Sequence, residues 1–583
     1  MVDVRNDLVK RFVDAQNDDK LLSELTNICQ QYTISPEDLF YKWEAMNYNR
    51  PMAHLGSVSL DVFTMDSVHA LKAALHSDAA AKTKKLQQRA ALNASMGRSK
   101  AETGLRFSKS ALASGAAVTP GAAGIMGAGS SKVSIRVSFK GPSDNPNERK
   151  KRRYRYMYEK ISERSEVLDE QIDEFGEIVR KYYNFEDLGD PSSTTEEEII
   201  VVGRICNATS TPTTPAPPKL TDSSLFLESS RMMGSGARVP LRFDAQLKVR
   251  GGIRGAGSVG LFPGALVALK GKNGGGGYFG VSEMLGIPPL TIDPSSQGGK
   301  LGVKAERGAF TMCIACGPYT PDSELEFKPL ASFLDKIKTS RPAVLLLQGP
   351  FIDASHSLIK SGDVDYTPPE LFHQRFAERL RDFLSASPDS LIILVPSVRD
   401  VLSDHPVSPQ CELSNEFAFD PRVRLLPNPC RFSINGISFA ASSVDVLFHL
   451  RNQEFMVRGE EVESWPATGD APGNDAMANM CRHLFQQRSF YPIYPVPAEM
   501  SHDINLDVTH VEGMRLDSSD PRCDYAPDVL VVPSRLKHFS KVVDGTMAVN
   551  PSYLTKGTYA TLHVGDNTSA PVKDRMKCEV HKL

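Results

Sequence analysis

Three stretches decide the fold: Phe310–Ala315 followed by Cys316-Gly317-Pro318-Tyr319-Thr320, Ala343–Leu347 followed by Gly349-Pro350-Phe351-Ile352-Asp353, and Ser390–Val395 followed by Pro396-Ser397-Val398-Arg399-Asp400. Each is a short apolar run without polar alternation, the pattern of a strand buried on both faces. Each runs into a Gly- or Pro-bearing loop, and an α/β sheet builds its ligand site from loops at strand ends. A hydrolytic centre in such loops needs several His and Asp residues to hold two cations a few ångströms apart. These loops offer Gly, Pro, Tyr, Ser and Arg instead. That absence says more than any motif present.

Working outward, strands and helices alternate from about residue 305 to the end. Leu330–Ile337 and Pro369–Leu384 have amphipathic helical spacing. Phe432–Phe439, Val529–Val532, Met547–Asn550 and Gly557–Val564 read as later strands. We assign 301–583 to one large α/β domain. Upstream, Ile199–Ile205, Ser224–Glu228, Val239–Phe243, Ala265–Lys270 and Tyr278–Met284 are short strands, with Gly-rich loops at Gly251–Gly264 and Gly271–Gly277. Five strands with wide loops suit a small OB-like barrel over 191–300. Such barrels often hold single strands through aromatic and basic side chains. Tyr278 and Phe279 are the candidates here, with core packing as the simpler role, so a protein-binding or structural barrel is the favoured reading.

Before the barrel, a single helix is expected over Tyr154–Tyr183, in a connecting segment 154–190. Residues 1–85 form an α-helical N-terminal domain: Leu8, Phe12, Leu21, Leu22, Leu25 and Ile28 recur at helical spacing, and Ser35-Pro36-Glu37-Asp38 opens a further helix with a cap, a first-turn proline and acidic residues. The domain is either a docking module or a plain helical cap. Residues 86–153 read as a disordered, flexible linker, since Ser108–Ser131 is mostly Ala, Gly and Ser. It ends in Arg149, Lys150, Lys151, Arg152, Arg153 and, after Tyr154, Arg155, a candidate nuclear-import cluster or a solvated charge run.

The 583 residues are 41% hydrophobic and 23% charged, with net charge −3, which gives no global nucleic-acid signal. No apolar run approaches the ~20 residues of a membrane span, and the N-terminus has no signal-peptide core. Nine dispersed cysteines suit reduced thiols in a nuclear or cytosolic protein. Cys313 and Cys316 form a lone CxxC at a strand end, with no second pair to complete a zinc site, and read as core.

Taken in order, Ala315–Thr320, Gly349–Asp353, Val395–Asp400, Ser433-Ile-Asn-Gly436, Val444–His449, Gln487–Pro495 and Asn550–Gly557 resemble the B subunits of eukaryotic replicative DNA polymerases, most closely the type found with polymerase α–primase. The δ- and ε-type B subunits are the alternatives within the family. The resemblance implies an OB barrel packed on a calcineurin-like phosphoesterase domain that has lost its activity. Against that family's metal motifs, Gly317 and Tyr319 stand for Asp and His, and Pro350 stands for the bridging Asp although Asp353 remains. Ser397 takes the Asn place, and Val398 or Arg399 the His place. No His-x-His occurs anywhere in the chain. No catalytic residue, metal ligand or cofactor is therefore expected, and Arg399 places a fixed positive charge where a cation belongs. Asp353, Arg399 and Asp400 are expected to pair with one another and close the cleft.

The resemblance implies a non-catalytic nuclear scaffold that grips the zinc-bearing C-terminal domain of the polymerase catalytic subunit and couples it to primase for primer synthesis. The N-terminal domain would reach other replication factors, with DNA contact indirect or weak and no membrane contact. Phe490, Tyr491 and Tyr494 are candidate interface anchors, with a place in the chain's own core as the alternative. Two readings from other classes are an active metallophosphoesterase with divergent ligands and a single-stranded nucleic-acid binder acting through the barrel.

Overall fold

The three strand–loop stretches lie side by side. In the computed structural model Phe310–Cys316, Val344–Gln348, Leu391–Val395 and Val423–Leu425 form consecutive parallel strands, so their C-terminal loops converge at one edge. Thr558–Val564 and Met576–Lys582 extend this sheet antiparallel beyond Phe310–Cys316. The structure describes residues 2–12, 18–32, 34–48, 67–69, 71–72, 75, 137–142, 149, 152, 159–207, 219–288, 290, 308–464, 471–516, 525–566 and 570–583. They fall into two units, 1–127 and 128–583.

A second six-stranded sheet runs in the order Phe139–Lys140, Cys430–Ile434, Ile437–Ala441, Val529–Val531, Thr546–Asn550, Phe539–Val543. Its inner face meets the first sheet in one buried cluster: Met312, Ile314, Leu346 and Ile393 from one side, Phe432, Phe439, Val529 and Val549 from the other. The outer face of the first sheet is covered by Lys328–Ile337 and by the helical run Pro368–Ala386 through Phe333, Leu334, Phe376 and Phe383. That run carries a π-turn at Phe372–Ala377, within the expected single helix. Helices Val446–Gln453 and Ala476–Gln486 cover the other sheet, giving four layers, helix on sheet on sheet on helix.

Ile199–Asn207, Leu225–Glu228, Arg238–Arg250, Leu266–Lys272 and Phe279–Leu285 form the barrel. The first strand pairs with the second and fourth, and pairing of Arg238–Arg250 with Phe279–Leu285 closes it. Its core is continuous with that of the α/β layers: Leu241, Leu269 and Phe279 belong to the same cluster as Leu447, Leu484 and Leu530. The helix Ile161–Tyr183 packs Ile172, Phe175 and Val179 on the barrel flank at Val202 and Ala268. The first residues of the expected helix, 154–158, lie outside the described residues.

Three sequence expectations need correction. Phe432–Phe439 is two strands turned at Asn435-Gly436, both with positive φ, because Asn and Gly tolerate the left-handed region a tight hairpin needs. The Gly251–Gly264 loop contains a strand, Ser258–Leu261, paired with Phe455–Arg458. The next segment, Glu460–Val462, joins the barrel beside Lys248–Arg250, so the α/β domain lends strands to the barrel. The disordered stretch drawn to residue 153 runs too far: Val137 is buried, Phe139–Lys140 pairs with Cys430–Ile434, and the Ser138 N–H donates to Asn435 Oδ1 at 2.8 Å. Residues 76–136 lie outside the described residues.

In the other unit, helices Val2–Arg11, Asp19–Tyr32 and Pro36–Tyr48 bury Leu8, Phe12, Leu22, Leu25, Ile28 and Leu39 with Val68 and Leu71.

Candidate functional site

The loops after the three parallel strands do meet, and they fill the space between them. A β-carbon on Gly317 would lie 2.1 Å from Pro350 O, so the first loop rests on the backbone of the second. One on Gly349 would lie 2.2 Å from Asp400 Oδ2. Tyr319 turns away from the loop edge into the core. Its hydroxyl donates to Gln348 O at 2.8 Å, and its ring lies 5.8 Å from Phe351 and 5.1 Å from Phe376. A histidine-like role for position 319 at the loop edge is thereby lost.

Arg399 and Asp353 pair as the sequence suggested. Arg399 Nε donates to Asp353 Oδ1 at 3.2 Å and Nη2 bonds Oδ2, a two-pronged pair with the carboxylate side chain only 4% exposed. Asp353 Oδ1 also accepts the Ser355 N–H and hydroxyl at 2.9 and 2.7 Å. Asp400 does not join that ion pair. It points the other way, accepting the backbone N–H groups of Phe351, Ile352 (3.1 Å) and Ser397 (2.8 Å), and so ties the second loop to the third. Burial pushes the Asp400 carboxyl up to about 7, against the opposing pull of the N–H groups of Ser397, Phe351 and Ile352. The Ser397 hydroxyl accepts the Arg399 N–H at 3.3 Å.

Further residues complete the closure, and sequence reasoning assigned most of them no role. Asp503 meets Arg535 Nη2 at 2.5 Å, His449 Nε2 at 3.4 Å and Arg399 Nη1 at 3.8 Å. Arg535 Nε also donates to Asp445 Oδ2 at 3.0 Å, which accepts the Tyr553 hydroxyl at the same distance. Burial alone would raise the Asp503 carboxyl. The His449 hydrogen bond and the Arg535 charge outweigh it and hold the group down at about 2. Asp503 sits in a loop with no motif around it, so nothing in the linear chain marks it. Asp445 carried a local signal, as an N-cap: it accepts the Phe448 N–H at 3.2 Å.

His356 caps a short helix with its ring on Pro321 O at 2.9 Å, and His483 bonds Glu454 Oε1 at 2.9 Å. Cys313 and Cys316 are buried, the latter donating to Gly349 O at 3.4 Å. Among the described residues no group of three or more His, Cys, Asp or Glu is placed to hold a metal ion.

The interface candidates separate. Phe490 and Tyr491 are buried in the chain's own core, and Tyr491 bonds His449 Nδ1 at 2.9 Å, so neither is an anchor on the surface. The apolar neighbours of the Pro-punctuated loop draw them inward. Tyr494 is half-buried, with the Arg204 guanidinium 6.0 Å from its ring, beside a cleft lined also by Leu168, Phe175 and Met514. Of the basic cluster, Arg152 grips Glu412, with Nε at 3.1 Å, and donates to Pro142 O at 2.8 Å. Arg149 donates to Leu413 O at 3.2 Å. These two arginines hold the segment to the α/β domain; Lys150, Lys151, Arg153 and Arg155 lie outside the described residues.

Comparison with known proteins places this geometry. The family of DNA polymerase alpha/epsilon B subunits matches residues 312–541, and the OB-domain family of the DNA polymerase alpha B subunit matches residues 165–287. The DNA polymerase alpha B subunit of Schizosaccharomyces pombe is 34% identical over 74% of this chain and 73% of its own length. The proteins of the same name from Saccharomyces cerevisiae and Rattus norvegicus are each 30% identical, over 71% and 69% of this chain. The match spans 61% and 60% of the length of those two relatives.

Proposed function

Because this chain belongs to the family of DNA polymerase alpha B subunits, we propose that it is the non-catalytic scaffold of the polymerase α–primase assembly. In this reading it holds the C-terminal zinc-bearing domain of the catalytic subunit, couples it to primase for RNA–DNA primer synthesis, and works in the nucleus. The N-terminal helical unit recruits other replication factors. Such a unit on a long chain raises a partner's effective concentration without a fixed contact.

One observation carries the non-catalytic half. The loops that would hold two cations in a phosphoesterase instead hold each other, through Gly317 on Pro350, Arg399 on Asp353 and Asp400 on three backbone N–H groups. A phosphoesterase needs a carboxylate bridging its metals and imidazoles around them. Here the surviving carboxylates already have cationic or N–H partners. No cofactor is required. A barrel and an α/β domain sharing one core offer a wide rigid surface, and stable complexes bury more than ~1,200 Å².

The test is a pull-down of the full chain with the C-terminal domains of the polymerase α, δ and ε catalytic subunits. Retention of the α domain alone is expected, and equal or preferential retention of another overturns the partner assignment. Metal analysis with a phosphodiesterase assay in manganese addresses the rest. Stoichiometric metal with turnover refutes the non-catalytic reading.

A further inference from the structure

The barrel carries an outer patch of aromatic and basic side chains away from the closed loop edge. Arg242, Gly280 and Lys272 sit in register on three adjacent strands. The Arg242 guanidinium lies 4.2 Å from the ring centre of Tyr278, which is half-buried at the end of the Gly274–Gly277 loop. At the centre of the row Gly280 leaves a flat gap. A β-carbon there would meet nothing nearer than Lys272 O at 3.6 Å and the Tyr278 ring at 3.9 Å. Gly276 packs against the ring, where a β-carbon would come within 2.8 Å of it, whereas Gly274 and Gly277 border open space.

Arg238, Arg250 and Lys270 are neutralised by Glu228, Glu283 and Glu198. Arg242 and Lys272 are exposed, and neither forms an ion pair among the described residues. A planar ring–guanidinium pair beside a gap, with Lys272 on the gap's other side, matches a base with its neighbouring phosphates. Bases stack on aromatic rings and on guanidinium planes, and cations along the groove follow the backbone. A duplex hides its base faces and cannot use such a platform.

We propose that this face of the barrel binds single-stranded DNA, with one base stacked on the Tyr278–Arg242 platform and phosphates at Arg242 and Lys272. The choice of DNA over RNA rests on the family assignment. The surface itself does not depend on the subunit pull-down, so either can fail alone.

The test is fluorescence anisotropy of the full chain with a labelled oligo-dT of about 12 nucleotides, within the span one such barrel covers. Duplex and oligo-U of the same length are the comparison arms. The wild-type chain is expected to prefer oligo-dT. Tyr278→Ala should weaken binding about 5- to 150-fold, the range for losing one base–aromatic stack. Arg242→Glu with Lys272→Glu should lower the salt slope by about 1.4, the share of two phosphate contacts on a single strand. Unchanged thermal melting of these surface variants confirms that they fold. A Lys577→Ala variant, altered at an exposed lysine elsewhere, should bind as the wild type does. The proposal is overturned if oligo-dT does not bind, if duplex or oligo-U binds more tightly, or if folded Tyr278→Ala and Arg242→Glu chains bind within twofold of wild type.

Discussion

Arg399→Met tests whether a guanidinium holds the loop edge together. The side chain is 24% exposed and its partner Asp353 4%. Breaking a fully buried pair costs about 3–5 kcal/mol, because a carboxylate is left without a countercharge in a medium that solvates it poorly. Two features reduce that here. Water reaches the site through the exposed quarter of Arg399, and Asp353 keeps the Ser355 N–H and hydroxyl. The expected loss is about 2–3 kcal/mol. Urea unfolding of the full chain, followed by tryptophan and tyrosine fluorescence and by circular dichroism, measures it. Adding Asp353→Asn removes the orphaned charge while preserving an acceptor for Ser355. The double variant should therefore recover about 1 kcal/mol or more relative to additivity. If Arg399→Met lies within ~0.5 kcal/mol of wild type, or if the two changes simply add, the pair does not hold the loops and the closure argument fails.

Other perturbations follow from the same contacts. Gly317→Ala forces a methyl group against Pro350 O, where neither backbone can retreat, and should cost more than about 3 kcal/mol, read as a lower denaturant midpoint or loss of soluble protein. Phe490→Ala should destabilise the chain in isolation by about 3–5 kcal/mol, because the ring fills its own core; a loss of partner binding with unchanged stability would contradict its placement. Asp400 has a folded-state value of about 7 against about 3.9 unfolded. Between those pH values the folded state holds a proton that the unfolded chain has released. The contribution is thus complete below about 4 and is lost as pH rises through about 7. Wild-type stability should decline across that window, whereas Asp400→Asn, lower throughout, should lack this decline; parallel curves would refute the assignment.

The parts legible in the sequence were those whose signal is local. Apolar runs ending in Gly or Pro located three of the four parallel strands and their loops to within about a residue, since a strand buried on both faces leaves little latitude in composition, whereas the short Val423–Leu425 was missed. What the chain hid was long-range. Asp503 meets Arg399 and Arg535 across 104 and 32 positions respectively, a relation without periodicity or spacing. Phe455–Arg458 and Glu460–Val462 drew no reading for the same reason: their partners, Ser258–Leu261 and Lys248–Arg250, lie about two hundred residues earlier. Direction was the other gap. That Asp400 turns inward and Phe490 lies buried depends on which face of each loop meets the core, and loop sequences carry no alternation strong enough to fix it.

The closed loop edge and the shared core bear on one another. A pair of divalent cations crosslinks several loops at once because each ion takes carboxylates from different strands. Cationic side chains can crosslink carboxylates in the same way. Here two guanidinium groups take up the crosslinking: Arg399 joins Asp353 to Asp503, and Arg535 joins Asp503 to Asp445. Arg535 also stacks on Phe448, 4.3 Å from its ring centre, in the helix whose Val446, Leu447 and Leu450 enter the core shared with the barrel. Guanidinium is suited to this because its planar fork can engage two carboxylates and one aromatic face together. The network at the loop edge is thus mechanically continuous with the barrel. Weakening Arg535 should loosen the α/β–barrel junction as well as the loops, and hydrogen exchange would register both in one variant. Protection lost at the loops alone would mean the junction is held by apolar packing independent of the ion network.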